Sequence, residues 1–172
     1  MVKKAGALKE RIGGIKFSGI FDYEKLYLGI YDWLKDHYYD TSETYKHKMT
    51  PSGAEVELKY TAERKESEFL KYSVVVELKL WGLQDIEVVK EGKKQKLNKA
   101  RGSVEIFMTV TLDYNSEFDK SEFFIRLFNL LRFTVLKDQI MMKWAGSLYY
   151  ECYKLQTKIK EILGLYTAYN AY

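Results

Sequence analysis

VEIFMTVTLDYNSEFDKSEFFIRLFNLL, residues 104–131, changes its period halfway along. Its first part sets Val104, Ile106, Met108, Val110 and Leu112 against Glu105, Thr109 and Thr111, the two-residue repeat of an antiparallel strand with one buried face. From Asp119 to Leu163 nearly every residue fits helices, and Asp119 with Glu122 three positions later is a capping-box-like start with Asp in the Ser/Thr position. Strands first and helices last specify an α+β domain, with helices packed on one face of a curved antiparallel sheet.

Upstream of the switch, the alternation repeats. Ala54, Val56, Leu58, Tyr60 and Ala62 oppose Glu55, Glu57, Lys59, Thr61 and Glu63; Leu70, Tyr72, Val74, Val76, Leu78 and Leu80 oppose Lys71, Ser73, Glu77 and Lys79. The second run is long for a strand, so a bend or bulge is expected at Trp81-Gly82. Tyr45, His47 and Met49 alternate with Thr44, Lys46 and Lys48, placing Tyr45 and His47 on the apolar side, and Pro51-Ser52-Gly53 supplies the following turn. Asp85–Val89 and Gln95–Leu97 flank Lys90-Glu91-Gly92-Lys93-Lys94 and predict a short hairpin with an exposed basic tip.

Gly14–Phe21, with Ile15, Phe17 and Phe21 on one side, predicts a first strand. Asp22 then caps an amphipathic helix over Tyr23–Tyr38, whose middle residue Gly29 weakens it or admits a close neighbour. The expectation is a sheet of about six strands, one helix after the first strand, and a long C-terminal helical segment over residues 119–164. Unbroken, that segment would be about 69 Å long, against roughly 40 Å for a domain of this size. A break is expected near Lys137-Asp138, with Asp138 capping the second helix. In that helix Met141, Ala145, Leu148, Cys152, Leu155, Ile159 and Ile162 form one seam, ended by Gly164.

With 172 residues, 47% hydrophobic and 30% charged, the chain predicts one ordered domain with a core of its own. Residues 1–13 read as a basic N-terminal arm and residues 165–172 as an aromatic tail. Cys152, the single cysteine, has no bridge partner within the chain, which favours a reducing, cytoplasmic setting. Met1–Glu10 lacks the apolar run of a signal peptide, and no 18-residue stretch is free of charges. Few Asn and Gln beside abundant Lys and Glu point to a thermophilic source.

The net charge of +4 is unevenly distributed. Lys3, Lys4, Lys9, Arg11 and Lys16 face only Glu10 in the first sixteen residues, and Lys90, Lys93, Lys94, Lys96, Lys99 and Arg101 face only Glu91 in the second basic segment. The remainder is net acidic, an asymmetry that suggests an anionic partner.

Chemistry is sparse. His37 and His47 are ten residues apart with one cysteine elsewhere, so no zinc spacing exists, and neither histidine has a catalytic partner placed by sequence. Cys152 falls on the helix seam with no cation to lower its pKa, as a buried, inert thiol does. Glu55, Glu57, Glu63 and Glu77 lie on polar strand faces. Arg11-Ile12-Gly13-Gly14 lacks the spacing of a phosphate loop. No catalytic residue, cofactor or metal is expected. Fifteen tyrosines are the remaining distinctive material, several of them on inward positions (Tyr45, Tyr60, Tyr72) or on the first helix (Tyr23, Tyr27, Tyr31). A wall of tyrosines is more polar than a dry core.

The order of strand (Ile15–Phe21), helix (Tyr23–Tyr38), antiparallel strands (Tyr45–Leu112) and long terminal helix resembles the helix-grip arrangement of the START and polyketide-cyclase-like superfamily. The resemblance covers nearly the whole chain and rests on element order. It implies a curved sheet wrapped round the last helix and a cavity for hydrophobic ligands, with no universal catalytic motif.

The leading expectation is thus a non-enzymatic binding protein holding a hydrophobic or partly polar small ligand, with a pocket bounded by Tyr60, Tyr72, Val74, Met108 and Phe128. The alternative is an assembly protein that uses the C-terminal helix and aromatic tail to bind a second copy or a protein partner. A third reading has Lys90, Lys93, Lys94 and Lys96 contact RNA or an anionic membrane.

Overall fold

The computed structural model describes residues 7–90, 93–116, 121–134 and 138–165. Among them, five antiparallel strands form one open sheet accompanied by three α-helices, an α+β architecture. The strands are β1 (Ala7–Phe21), β2 (Asp40–Thr50), β3 (Gly53–Lys65), β4 (Leu70–Lys90) and β5 (Lys93–Leu112). The helices are α1 (Tyr23–Asp36), α2 (Glu122–Thr134) and α3 (Gly146–Ile162), with a π-helical segment, Gln139–Ala145, leading into α3.

The sheet order is β1-β5-β4-β3-β2. β2 to β5 form a meander, and β1 returns to pair with β5, so β1 and β2 are the two edges and α1 connects one edge to the other. Asp22 caps α1 as its position predicts, its carboxylate accepting the Lys25 N–H at 2.9 Å. Gly29 lets Ile162 of α3 pack closely, since a Cβ there would lie 2.5 Å from Ile162 Cδ1.

Strand alternation translates directly into burial. The even-numbered residues from Leu70 to Leu80 and from Val104 to Leu112 are all buried, as are Val56, Leu58, Tyr60 and Ala62. On them lie Leu26, Ile30, Trp33 and Leu34 of α1 and Leu148, Cys152, Leu155 and Ile159 of α3, in one core. The α3 seam is therefore filled by its own sheet. Its end has the predicted glycine: Gly164 takes φ +66°, and the Leu165 and Gly164 N–H groups donate to the Lys160 and Glu161 carbonyls at 2.8 and 3.0 Å, a Schellman closure.

Arg64 ties the layers together. Its guanidinium donates to the His37 carbonyl, to Glu151 Oε1 on α3 and to Glu66, each at 2.9 Å, and lies 4.7 Å from the Tyr39 ring centroid. Tyr39 donates to the other Glu151 oxygen at 2.9 Å.

Several expectations need correction. The sheet has five strands rather than six, because residues 85–89 and 95–97 are the far ends of β4 and β5. Those strands pass through a bulge between Trp81 and Gln84 without ending. The expected bend at Trp81-Gly82 is that bulge, with Gly82 at φ +65°. The basic arm is strand from Ala7 onward, kept in register with β5 by a bulge between Arg11 and Gly13; residues 1–6 lie outside the described residues. So do Glu91 and Gly92 of the expected basic hairpin, Asp119, Lys137 and residues 166–172 of the expected aromatic tail. Asp138 does not cap: its backbone is helical (φ −69°, ψ −37°) and its side chain makes no cap bond, whereas a capping residue requires extended backbone. Tyr45, His47 and Met49 lie opposite the buried Leu58, Val56 and Ala54, on the inner face as expected, yet are exposed, because β2 is an edge strand with a neighbour on one side only.

Candidate functional site

The expected pocket residues Tyr60, Tyr72, Val74, Met108 and Phe128 are all brought together, each no more than 3% exposed, within the single core cluster. Val74 sits opposite Met108 across β4 and β5. None of the five lines the surface cleft described below.

Cys152 is wholly buried, and burial followed by the Glu151 carboxylate pushes its thiol up to about 12, which keeps it protonated at neutral pH. His37 stacks on Trp33 with ring centroids 3.8 Å apart and shares a hydrogen bond of 2.8 Å with the Trp33 carbonyl; His47 stacks on Tyr45. Among the described residues no group of three or more His, Cys, Asp or Glu side chains converges as a metal site would require. No described helix is long and apolar enough to cross a membrane.

The basic segments behave differently from a pair of loops. β1 pairs with β5 so that Lys16 lies opposite Ser103, Ser18 opposite Arg101 and Ile20 opposite Lys99; β4 pairs with β5 so that Trp81 lies opposite Arg101 and Gln84 opposite Lys99. Lys16 from the first segment and Lys99 and Arg101 from the second thereby share the sheet face that the helices leave open. They line a cleft of about 920 Å³ together with Trp81, Gln84 and Glu55. Trp81 is 45% exposed, unusual for an indole. Among the described residues, Lys16, Lys99 and Arg101 form no ion pair, in contrast to Arg11, which meets Glu105 at 2.7 Å, and Lys59, which meets Glu77 at 3.0 Å.

Glycines build one wall of the cleft. Gly53, in the turn between β2 and β3, has φ +122°, and a Cβ there would stand 2.8 Å from the Gly82 carbonyl carbon. The β4 bulge can therefore press backbone to backbone against that turn, and Gln84 Nε2 fastens it by donating to the Ser52 carbonyl at 3.1 Å. Bulge and turn together hold Trp81 beside Arg101.

Beyond this cleft, β4 and β5 continue as a two-stranded ribbon, from Ile86 opposite Leu97 to Lys90 opposite Lys93. Lys94 and Lys96 are exposed on it, Lys94 lying 3.7 Å from Glu87. Lys90 and Lys93 are placed by their backbone pairing; their side chains lie outside the description.

A second exposed surface is apolar. Among the described side chains of α2, Phe128 alone is buried, edge-on to Phe69 with centroids 5.9 Å apart. Phe123, Leu130, Met142 and Tyr150 are each at least 61% exposed.

The charge segments were legible in the sequence, but their meeting point was not, because it depends on the non-local pairing of β1 with β5. Trp81 carried a signal: an aromatic residue on the polar side of an alternating strand. No protein-family model and no curated protein matches this chain.

Proposed function

We propose that the protein is a non-enzymatic binding protein whose open sheet face takes single-stranded nucleic acid. The observation that carries this reading is the β1–β5 pairing that gathers Lys16, Lys99 and Arg101, without ion-pair partners among the described residues, around the exposed ring of Trp81. Cations at phosphate positions beside an aromatic face are what a flexible, sequence-tolerant strand requires. Lys94 and Lys96, at even positions of β5, fall on the opposite face of the ribbon from Lys99 and Arg101, so the positive track is confined to the cleft. A cleft, in contrast to a flat basic plane, suits a chain more than a bilayer surface. The position of α3 on the inner sheet face supports the helix-grip resemblance, and the proposed site lies on the opposite face from the ligand cavity which that resemblance implies.

The test is fluorescence anisotropy on a short labelled single-stranded RNA. Three phosphate contacts predict that log K falls with log salt at a slope of about −2. Replacing Lys16, Lys99 and Arg101 with Gln should abolish both the binding and the slope. Trp81→Ala should weaken binding by roughly five- to hundredfold, the worth of one stacked base, and leave the slope unchanged. Absence of binding by the wild type at low salt, or equal binding by the triple variant, overturns the proposal; equal affinity for anionic vesicles would replace it with a membrane role.

A second reading, assembly through α2 and the outer face of α3, is favoured by the exposure of Phe123, Leu130, Met142 and Tyr150. Its mark would be a mass that rises with protein concentration in analytical ultracentrifugation and returns to 20.3 kDa in Leu130→Glu.

A further inference from the structure

At the β2 edge of the sheet, where α1 runs beside that strand, lies a cleft of about 490 Å³ with chemistry inverse to that of the basic face. It is lined by Tyr23, Glu24, Tyr27, Leu28, Glu43 and Tyr45. No lysine or arginine contributes to it, and among the described residues neither carboxylate has an ion-pair partner. We infer that this cleft is a binding site for a small alkylammonium ion, with the tyrosine faces as its walls and Glu43 and Glu24 as its counter-charges.

The walls are held in place before any ligand arrives. Tyr27 Oη donates to Glu43 Oε2 at 2.7 Å, which fixes both the ring and the carboxylate and leaves the second Glu43 oxygen as an acceptor. Buried Tyr60 stands behind, its hydroxyl donating to the Tyr27 carbonyl at 3.3 Å and its ring centroid 5.9 Å from that of Tyr27. Tyr23 and Tyr27 are 6.4 Å apart at an interplanar angle of 43°, so they form two adjoining walls, not a closed stack. A cation seated in the angle between them can lie within about 6 Å of both centroids, the range in which a ring quadrupole attracts a positive charge. Tyr45 is stacked on His47 and half exposed at the mouth.

The phenols of Tyr23 and Tyr27 stay neutral over the useful pH range. Burial, then the neighbouring Tyr45 and Tyr27, pushes Tyr23 up to about 12, and the hydrogen bond to Glu43 followed by burial raises Tyr27. The site therefore offers π-faces beside two acidic side chains, a combination that attracts cations and repels the phosphates favoured by the basic face. It also assigns a task to Tyr45, which contributes no burial to the core.

Ligand-observed NMR decides the matter, with choline as the probe and 3,3-dimethyl-1-butanol, its neutral carbon isostere, as the control. Saturation transfer to the choline methyl groups is expected, with none to the isostere at equal concentration. Tyr45→Leu should weaken choline by roughly two- to thirtyfold through loss of one aromatic wall. Glu43→Gln keeps an acceptor for Tyr27 and should weaken choline several-fold by removing the charge alone. Both positions are exposed on an edge strand, and an unchanged thermal midpoint in each variant separates lost binding from lost folding. Absence of transfer to choline, equal transfer to the isostere, or full affinity in both variants would sink the inference.

Discussion

Tyr72 shows how one residue turns burial into a dependence on pH. Burial, followed by the negative charges of Glu66 and Glu151, pushes its phenol from 10.0 up to about 12, with Arg64 opposing. Between those values the unfolded chain gives up the proton while the folded protein keeps it. Folding stability is thus fully present below pH 10 and falls as pH rises toward 12, by about 1.4 kcal/mol per pH unit from this residue alone. Tyr72→Phe removes the proton from both states. Urea midpoints measured from pH 8 to pH 11 should show wild type and variant parallel up to pH 9, and a shallower decline for the variant above pH 10. Equal slopes above pH 10 would mean that the hydroxyl reaches solvent. Tyr39 and Tyr60, also raised by burial, leave a residual alkaline loss in the variant.

Among the elements, α3 closes the core, and its seam makes a clear prediction. Leu155 is fully buried against the sheet of its own chain, so Leu155→Ala should cost about 2–5 kcal/mol. Because the contacts are internal, the loss should be independent of protein concentration in chemical denaturation; a loss that grows on dilution would place the seam at a subunit interface. The same seam shows what was legible beforehand. Helical spacing and strand alternation identified the faces of α1, α3, β3, β4 and β5, because a buried face imposes its period on the sequence. Tyr45, His47 and Met49 have the same alternation without the burial. An edge strand has one neighbour only, and alternation cannot tell whether a helix covers it. The count of six strands failed for a related reason: the Trp81/Gln84 bulge interrupts the pattern but leaves the ladder intact. For the basic face, Lys99 and Arg101 were visible as charge, whereas Lys16 became their neighbour only through the non-local β1–β5 pairing.

For the whole molecule, that pairing makes the proposed nucleic-acid site a property of the folded state. The unfolded chain carries the same lysines and arginine, but with Lys16 separated from the other two by about half of the chain's length, Trp81 in between, and no rigid sheet to hold any of them. A ligand that engages Lys16, Arg101 and Trp81 at once must therefore bind the native protein in preference, and binding must stabilise it by mass action. At a free RNA concentration one hundred times its dissociation constant, the gain is about 2.7 kcal/mol. For a domain of this size each kcal/mol moves the midpoint by roughly 2–4 °C, so differential scanning fluorimetry should report a rise of about 5–11 °C at low salt. The shift should vanish near 1 M salt, where phosphate contacts are screened. Arg101→Gln supplies the control: its side chain lies on the open sheet face, so the unliganded midpoint should stay within about a degree or two of wild type while most of the RNA-induced shift disappears. A shift of equal size in Arg101→Gln, or one that survives high salt, would show that RNA stabilises the protein elsewhere and that the meeting of the two basic segments is not the cause.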